Sequence, residues 1–597
     1  MKRYILTGII LMAALCLSAQ TVDTAHFRLQ YTPKLTPSKK LNQQPTLKDT
    51  VTEKVHFSYY IVPERFDASF QPTPIKYNKV SPEGLDKMYR NFLKVGFGYP
   101  ITPLLDFSFH NLQNQKNSFG ANVHHFSSWA PQIGKLMKQY EYYPTSDTRV
   151  HLNYKHFFKH YTFYSAIDYN HEAARFYGFK KEDTDFHPDY IPEKRDLKNN
   201  FHHLSATAGF ASNFVLEEKK PKFDIGLNYD MLRTNWTDME NHVGLKSFVG
   251  YDARWAKISG SQLYRLNLNL DYYNEKWPAF TGNSLLFNPE AFAQFSIKEY
   301  HIIVGVGGVV DANNLTVDNK FKTSDASTIY PIAELNLGLI PSILSIYAGV
   351  NGGAHFNSLE SLLYENPFVK PHLNELRTTT DRINIYGGVR GNLVKKLNYD
   401  ISARYSFSKN MAFFVIDTTD HLFNKFNVEY YRGNRLNICL NLDYEILRNL
   451  HINFEANYWV HALSDTMPNG EKRVALHKPA LEIAFNGKYV LKEKFVFDLN
   501  FNLAFGRKAL VPVAHYDGNN QFVKYYYSIE KMRPILDFGI GFEYLINDHF
   551  SAFASINNLA CQYYAKYYDF KNMGINALVG VTYSFGHESI KKAKGKK

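Results

Sequence analysis

Along much of this chain, apolar and polar residues alternate one by one. Leu436, Ile438, Leu440, Leu442 and Tyr444 share one parity, with Asn437, Cys439, Asn441 and Asp443 on the other. A β-strand turns successive side chains to opposite faces, so such a run predicts a strand with one apolar and one amide- or charge-rich face. After Arg448-Asn449 the pattern resumes as Leu450, Ile452, Phe454, Ala456 and Tyr458 against His451, Asn453, Glu455 and Asn457. Tyr264 to Tyr272, Leu397 to Phe407 and Phe495 to Phe505 repeat it.

A soluble sandwich also alternates, so the connections must decide between the two. Tight turns are expected near Gln113, Lys159, Lys219, Lys257, Lys298, Pro341, Lys395, Arg448, Lys492 and Asn547. Between them lie longer polar stretches: Ser127 to Asp147, Tyr177 to Lys198, Ala354 to Asp381 and Arg507 to Met532. Short and long connections in alternation are the plan of a membrane barrel, with short periplasmic turns and long external loops. The expected fold is therefore all-β: a transmembrane antiparallel β-barrel of about 22 strands over residues 92–585. The first outer connection, Tyr99 to Pro103, is short for this scheme.

Composition agrees. The 597 residues include 43 Tyr and 46 Phe against 5 Trp, an abundance that suits strands and interfacial girdles. No apolar run beyond the N-terminus reaches the length of a membrane helix. At the N-terminus, Lys2 and Arg3 precede an apolar stretch from Ile5 to Leu17, and Leu17-Ser18-Ala19 offers a cleavage site. Residues 1–19 read as a secretory signal peptide, and Leu15 is too bulky for a lipidated Cys16. Residues 20–91 are rich in Pro, Lys, Gln and Thr, and Pro33, Pro37, Pro45, Pro63, Pro72, Pro74 and Pro82 interrupt them. This composition predicts a largely irregular segment that lies in the periplasm or threads the lumen. The net charge of +12 lies partly in a basic tail, residues 586–597, and gives no support for nucleic-acid binding.

The end of the chain is the most specific stretch. Ser555-Ile556-Asn557-Asn558-Leu559 precedes Tyr563, Tyr564, Tyr567 and Tyr568; Gly574, Asn576 and the run Ala577 to Phe585 follow. This resembles the last two strands of TonB-dependent outer-membrane receptors. The resemblance implies that Val579, Val581, Tyr583 and Phe585 form the outward face read by the barrel-assembly machinery. Asp49-Thr50-Val51-Thr52 resembles the energy-coupling box that pairs with the periplasmic TonB partner. Two departures stand out: residues 586–597 run past the terminal aromatic, and residues 20–91 are too short and too broken for the usual folded plug.

Candidate chemistry is sparse. His124-His125 and His202-His203 are neighbours on strands, so each pair points to opposite faces and cannot chelate one ion. No nucleophile elbow, phosphate loop or dinucleotide fingerprint is present, and Val304 to Val310 reads as a strand with inward glycines. Neither a catalytic site, a metal nor a cofactor is expected. Arg265, Asp271, Asp400, Arg404, Asp443, Glu455 and Asp498 are expected to line the lumen. The expected partners are outer-membrane lipids, the assembly machinery, and a periplasmic energy-coupling or lipoprotein partner. Two functions follow. The first is transport of a solute or polypeptide across the outer membrane; the alternative is a non-transporting scaffold of an envelope complex. A passive porin or a barrel-borne enzyme comes third.

Overall fold

The computed structural model describes residues 89–587, apart from 112–115, 130–144, 179–196, 214–219, 253–259, 279, 316–321, 324–325, 395, 420–421, 468–469, 517–521 and 573. Residues 1–88 and 588–597, with the signal peptide, the Asp49–Thr52 motif and the basic tail, lie outside the described residues.

Twenty-two antiparallel strands form one closed ring. Its first strand, Tyr89–Tyr99, pairs with the last, Asn576–His587, through Asn91↔Phe585, Leu93↔Tyr583 and Val95↔Val581. Closure leaves no edge, which is the condition for a sheet to survive in hydrocarbon. The alternating runs fall inside strands Ser261–Trp277, Leu397–Ile416, Phe426–Leu447, Leu450–Leu463 and Phe495–Phe505. Several of these are much longer than the roughly 10 residues that cross a bilayer, so their ends stand clear of the membrane. Phe426–Leu447, at 22 residues, is the longest.

The apolar parity is the exposed one. Leu227, Leu266, Ile401, Ile438, Tyr458 and Phe497 are each at least 40% exposed, although large and apolar. An apolar belt around a closed barrel is what lipid contact requires. In the last strand Val579 and Val581 are 60% and 55% exposed, and Tyr583 stacks on both Phe550 and Phe585. The glycine-rich run lies in strand Tyr300–Leu315, where Gly307 makes room for a neighbouring ring. A Cβ at Gly307 would stand 2.3 Å from the ring of Tyr330, which is buried with its hydroxyl donating to Glu290.

The connections depart from expectation in two ways. Among the outer ones, 100–103, 235–238 and 278–279 are short; beside the last, strands Ser261–Trp277 and Phe280–Ile297 are 17 and 18 residues long and rise above the membrane. The long ones are less irregular than their polarity suggests. The stretch from Arg507 to Met532 contains a hairpin, Lys508–Tyr516 with Phe522–Lys531. It brings Leu510 against Phe413, Val415 and Tyr431, in the rising strands Leu397–Ile416 and Phe426–Leu447. The stretch from Ala354 to Asp381 carries a helix, Leu359–Glu365, which enters the site described below.

Lipid contact is testable in the last strand. Val581→Arg should lower unfolding free energy in vesicles by about 2–4 kcal/mol, the cost of a cation near the midplane. Val581→Leu should leave it within about 0.5 kcal/mol. Urea titration followed by heat-modifiability checks both.

Candidate functional site: a cap built from the outer connections

The connection 357–377, between strands Leu344–Phe356 and Thr378–Val394, carries the helix Leu359–Glu365. Ser358 starts the helix by accepting the N–H of Ser361. Leu359, Leu362 and Leu363 form its buried side, and Val369, Leu373 and Leu376 continue the apolar surface. They pack with Phe201 and Leu232 from one wall, Val309 and Tyr330 from another, and Phe414, Phe426 and Val428 from a third. Tyr567 and Phe570, from the connection before the last strand, complete the cluster. Residues from widely separated walls can share one core only inside the ring. The cap therefore sits in the lumen, at the end carrying the long connections.

Each side of the cap is tied to the barrel. On one wall Glu240, in strand Met239–Asp252, accepts the N–H groups of Leu359 (2.6 Å) and Glu360 (3.3 Å). These are free donors at a helix start, where a carboxylate is favoured. Asp238 accepts the N–H of His372 and lies 2.5 Å from its Nδ1. Asn199 donates to the Pro367 carbonyl at 2.7 Å. On the far side, the Phe426 carbonyl accepts the N–H of Lys370 and the Phe426 N–H donates to the Phe368 carbonyl, and Lys370 also faces Asp417. Glu365 pairs with Lys478, and its carbonyl accepts from the Tyr567 hydroxyl. Strand Met239–Asp252 is the eighth of the ring and Phe426–Leu447 the sixteenth, so the cap bridges nearly across the barrel.

Below the helix lies a charged cluster. His242 stands between Asp230 (2.8 Å) and Asp271 (2.9 Å), and its ring stacks on Tyr273. His203 Nε2 lies 3.3 Å from Glu360 and 3.7 Å from Asp230, close enough for charge pairing though poorly aligned for a hydrogen bond. Burial pushes the Glu360 carboxyl above its usual range, against the opposing pull of His203. Burial raises Asp238 as well, opposed by His372. Among the described residues no group of His, Cys, Asp and Glu is arranged to hold a metal ion.

Beside the cap a polar recess of about 650 Å³ opens between the connection 357–377, strand Phe426–Leu447 and the connection 464–480. Glu375, Arg377, Glu429, Asp465 and Arg473 line it. Arg473 bridges Glu429 (2.7 Å) and the Tyr431 hydroxyl (2.6 Å), and Arg377 pairs with Glu375.

Of the seven polar residues expected in the lumen, only Asp271 joins the cap's surroundings. Arg265 covers the ring of Phe248 and donates to Asn267; Arg404 lies over Tyr386; Asp400 accepts from Tyr347. Asp443 faces His451 at 3.1 Å, Glu455 accepts from Asn457, and Asp498 stands opposite Lys488 and Gly541 in the ladder. The neighbouring histidines do diverge: His202 meets the Tyr169 hydroxyl while His203 turns to Glu360. The His203, Asp230, His242 and Glu360 grouping escaped the sequence reading because it is assembled by strand register and a distant loop. Its one sequence signal is a set of acids and histidines clustered at strand ends.

No family model matches the sequence, and no curated protein is similar to it in sequence. Solved structures are similar in fold. The pyoverdine outer-membrane receptor FpvA of Pseudomonas aeruginosa bound to pyoverdine matches 84% of this chain and 79% of its own, with a TM-score of 0.59 and 10% identity. The FrpB iron transporter of Neisseria meningitidis matches 84% and 82%, with a TM-score of 0.59 and 12% identity. The copper transporter OprC matches 84% and 80%, with a TM-score of 0.56 and 10% identity. The fold is thus the barrel of TonB-dependent receptors.

If Glu240 of the eighth strand holds the cap, Glu240→Ala should speed amide exchange across residues 357–377 at least tenfold. Leu362→Ala should do likewise, since an emptied Leu site costs about 2–5 kcal/mol. Exchange in strand Leu450–Leu463 should not change in either variant. Hydrogen–deuterium exchange by mass spectrometry reads all three regions.

Proposed function

We propose that this chain is an outer-membrane transport receptor whose lumen is shut at the external mouth by its own connections and opened by displacing the cap. The observation that carries this reading is the mixed attachment of the cap. It closes a wide, polar-lined lumen, yet one wall holds it through carboxylates and histidines that an incoming solute can compete for. Arg265, Asp400, Arg404, Asp443, Glu455 and Asp498 then line the path below it. In the same reading residues 1–19 export the chain, and the last strand with Val579, Val581, Tyr583 and Phe585 recruits the assembly machinery. Residues 20–91 thread the lumen from the periplasmic side, where Asp49–Thr52 pairs with an energy-coupling partner. The fold shared with the pyoverdine receptor, the FrpB iron transporter and the copper transporter supports this class of function.

One observation favours a second reading. The cap's apolar core, with Leu362, Phe414 and Phe426 at 2% exposure or less, is packed like a permanent interior. A permanently shut barrel suits a membrane scaffold that holds a periplasmic or lipoprotein partner. Neither reading calls for an enzyme.

Planar-bilayer conductance of the full-length protein separates them. Transport predicts a closed wild type, discrete openings in a Glu240→Ala/His372→Ala/Leu363→Ala variant, and further opening when residues 20–91 are also removed. If all three remain closed while a stoichiometric partner co-purifies, the scaffold reading replaces transport.

A further inference from the structure

The membrane-facing surface carries a second feature, remote from the cap. On the apolar parity of strands Leu450–Leu463, Leu481–Leu491, Phe495–Phe505, Ile535–Leu545 and Phe550–Asn557 lies a groove of about 560 Å³. Its walls include Ile452, Phe485, Phe497, Ile540 and Phe542, and its lining is almost wholly apolar. The groove exists because Gly487 leaves a gap between large neighbours. Gly487 pairs with Ile452 on one side and Leu499 on the other. A Cβ there would meet Phe485 at 3.5 Å and Leu499 at 3.7 Å, ordinary contact distances. Neither crowding nor backbone conformation requires the glycine, so packing alone does not account for it.

The groove lies in the half of the barrel nearest the short turns. Leu450 is the first residue of its strand, and Tyr489 lies two residues from the end of its own. At the foot of the groove those turns carry Arg448, Lys492 and Lys494, all exposed. Backbone hydrogen bonds hold them together: Val490 donates to Asn449, and Leu545 donates to Lys494. None of the three cations has an ion-pair partner among the described residues, and Glu493 and Asp548 are the nearby acids in sequence. A cleft open to hydrocarbon, with free cations at headgroup level, matches a lipid that has an acyl chain and a phosphate.

We propose that this groove is a binding site for one anionic phospholipid of the inner leaflet. One acyl chain lies over Gly487, and the phosphate sits among Arg448, Lys492 and Lys494. The site is independent of how the cap behaves.

The full-length protein in nanodiscs of equal phosphatidylglycerol and phosphatidylcholine, released into mild detergent for native mass spectrometry, tests this. The wild type should retain one phosphatidylglycerol, at least tenfold over phosphatidylcholine. Gly487→Phe, whose Cβ meets its neighbours at ordinary contact distances, should lose that lipid at least tenfold while keeping the heat-modifiable folded form. Lys492→Glu/Lys494→Glu should retain one lipid with the preference for phosphatidylglycerol abolished. Equal retention by the wild type and Gly487→Phe overturns the proposal, as does a wild type without headgroup preference. An acylated protein or a second copy of this chain seated in the groove, in place of phospholipid, overturns it as well.

Discussion

The structure depends first on the fate of its backbone hydrogen bonds. In hydrocarbon an unpaired N–H or C=O has no water to turn to, so a sheet is stable there only when its edges meet. Strand Tyr89–Tyr99 and strand Asn576–His587 meet over ten paired positions from Tyr89↔His587 to Tyr99↔Ala577, although they stand at opposite ends of the described chain. Everything else is arranged around that seam. The outward parity must be apolar, the inward parity is free to be polar, and the wide interior of a ring this size must be filled or left open to water.

That rule explains why the membrane part was legible in the sequence. A strand with lipid on one side shows that environment at every second residue, so Ile438, Leu266 and Phe497, all large, apolar and exposed, announced the lipid side. Turn chemistry marked the short ends, and the connections at Lys159, Lys298, Arg448, Lys492 and Asn547 fall between strands as expected. Alternation loses its meaning above the membrane. There Phe413 and Phe414 are adjacent yet both buried, because the hairpin at Lys508–Lys531 lies against one face and the cap lies against the other.

The cap was invisible for the same reason. Its helix is a single short element in a stretch that reads as polar, and its partners Glu240, Asp238, Phe426 and Tyr567 lie far away in sequence. Long-range contacts of this kind are set by strand register and ring closure, which no local pattern records. Their physical character still divides by location. The apolar contacts of Leu362 and Leu363 give the cap its place in the lumen. The carboxylates at the helix start and at His372 fix its orientation. An assembly of both kinds can be either a gate or a permanent stopper, according to which set carries more of the free energy.

The central claim is that the connection 357–377 fills the external mouth of the lumen, and imaging the barrel in lipid tests it most directly. Cryo-electron microscopy of the full-length protein in nanodiscs should show helix Leu359–Glu365 inside the ring, with Glu240 at its start and Tyr567 and Phe570 against its apolar side. A mouth open to solvent, with residues 357–377 extended outside the ring, would contradict the account.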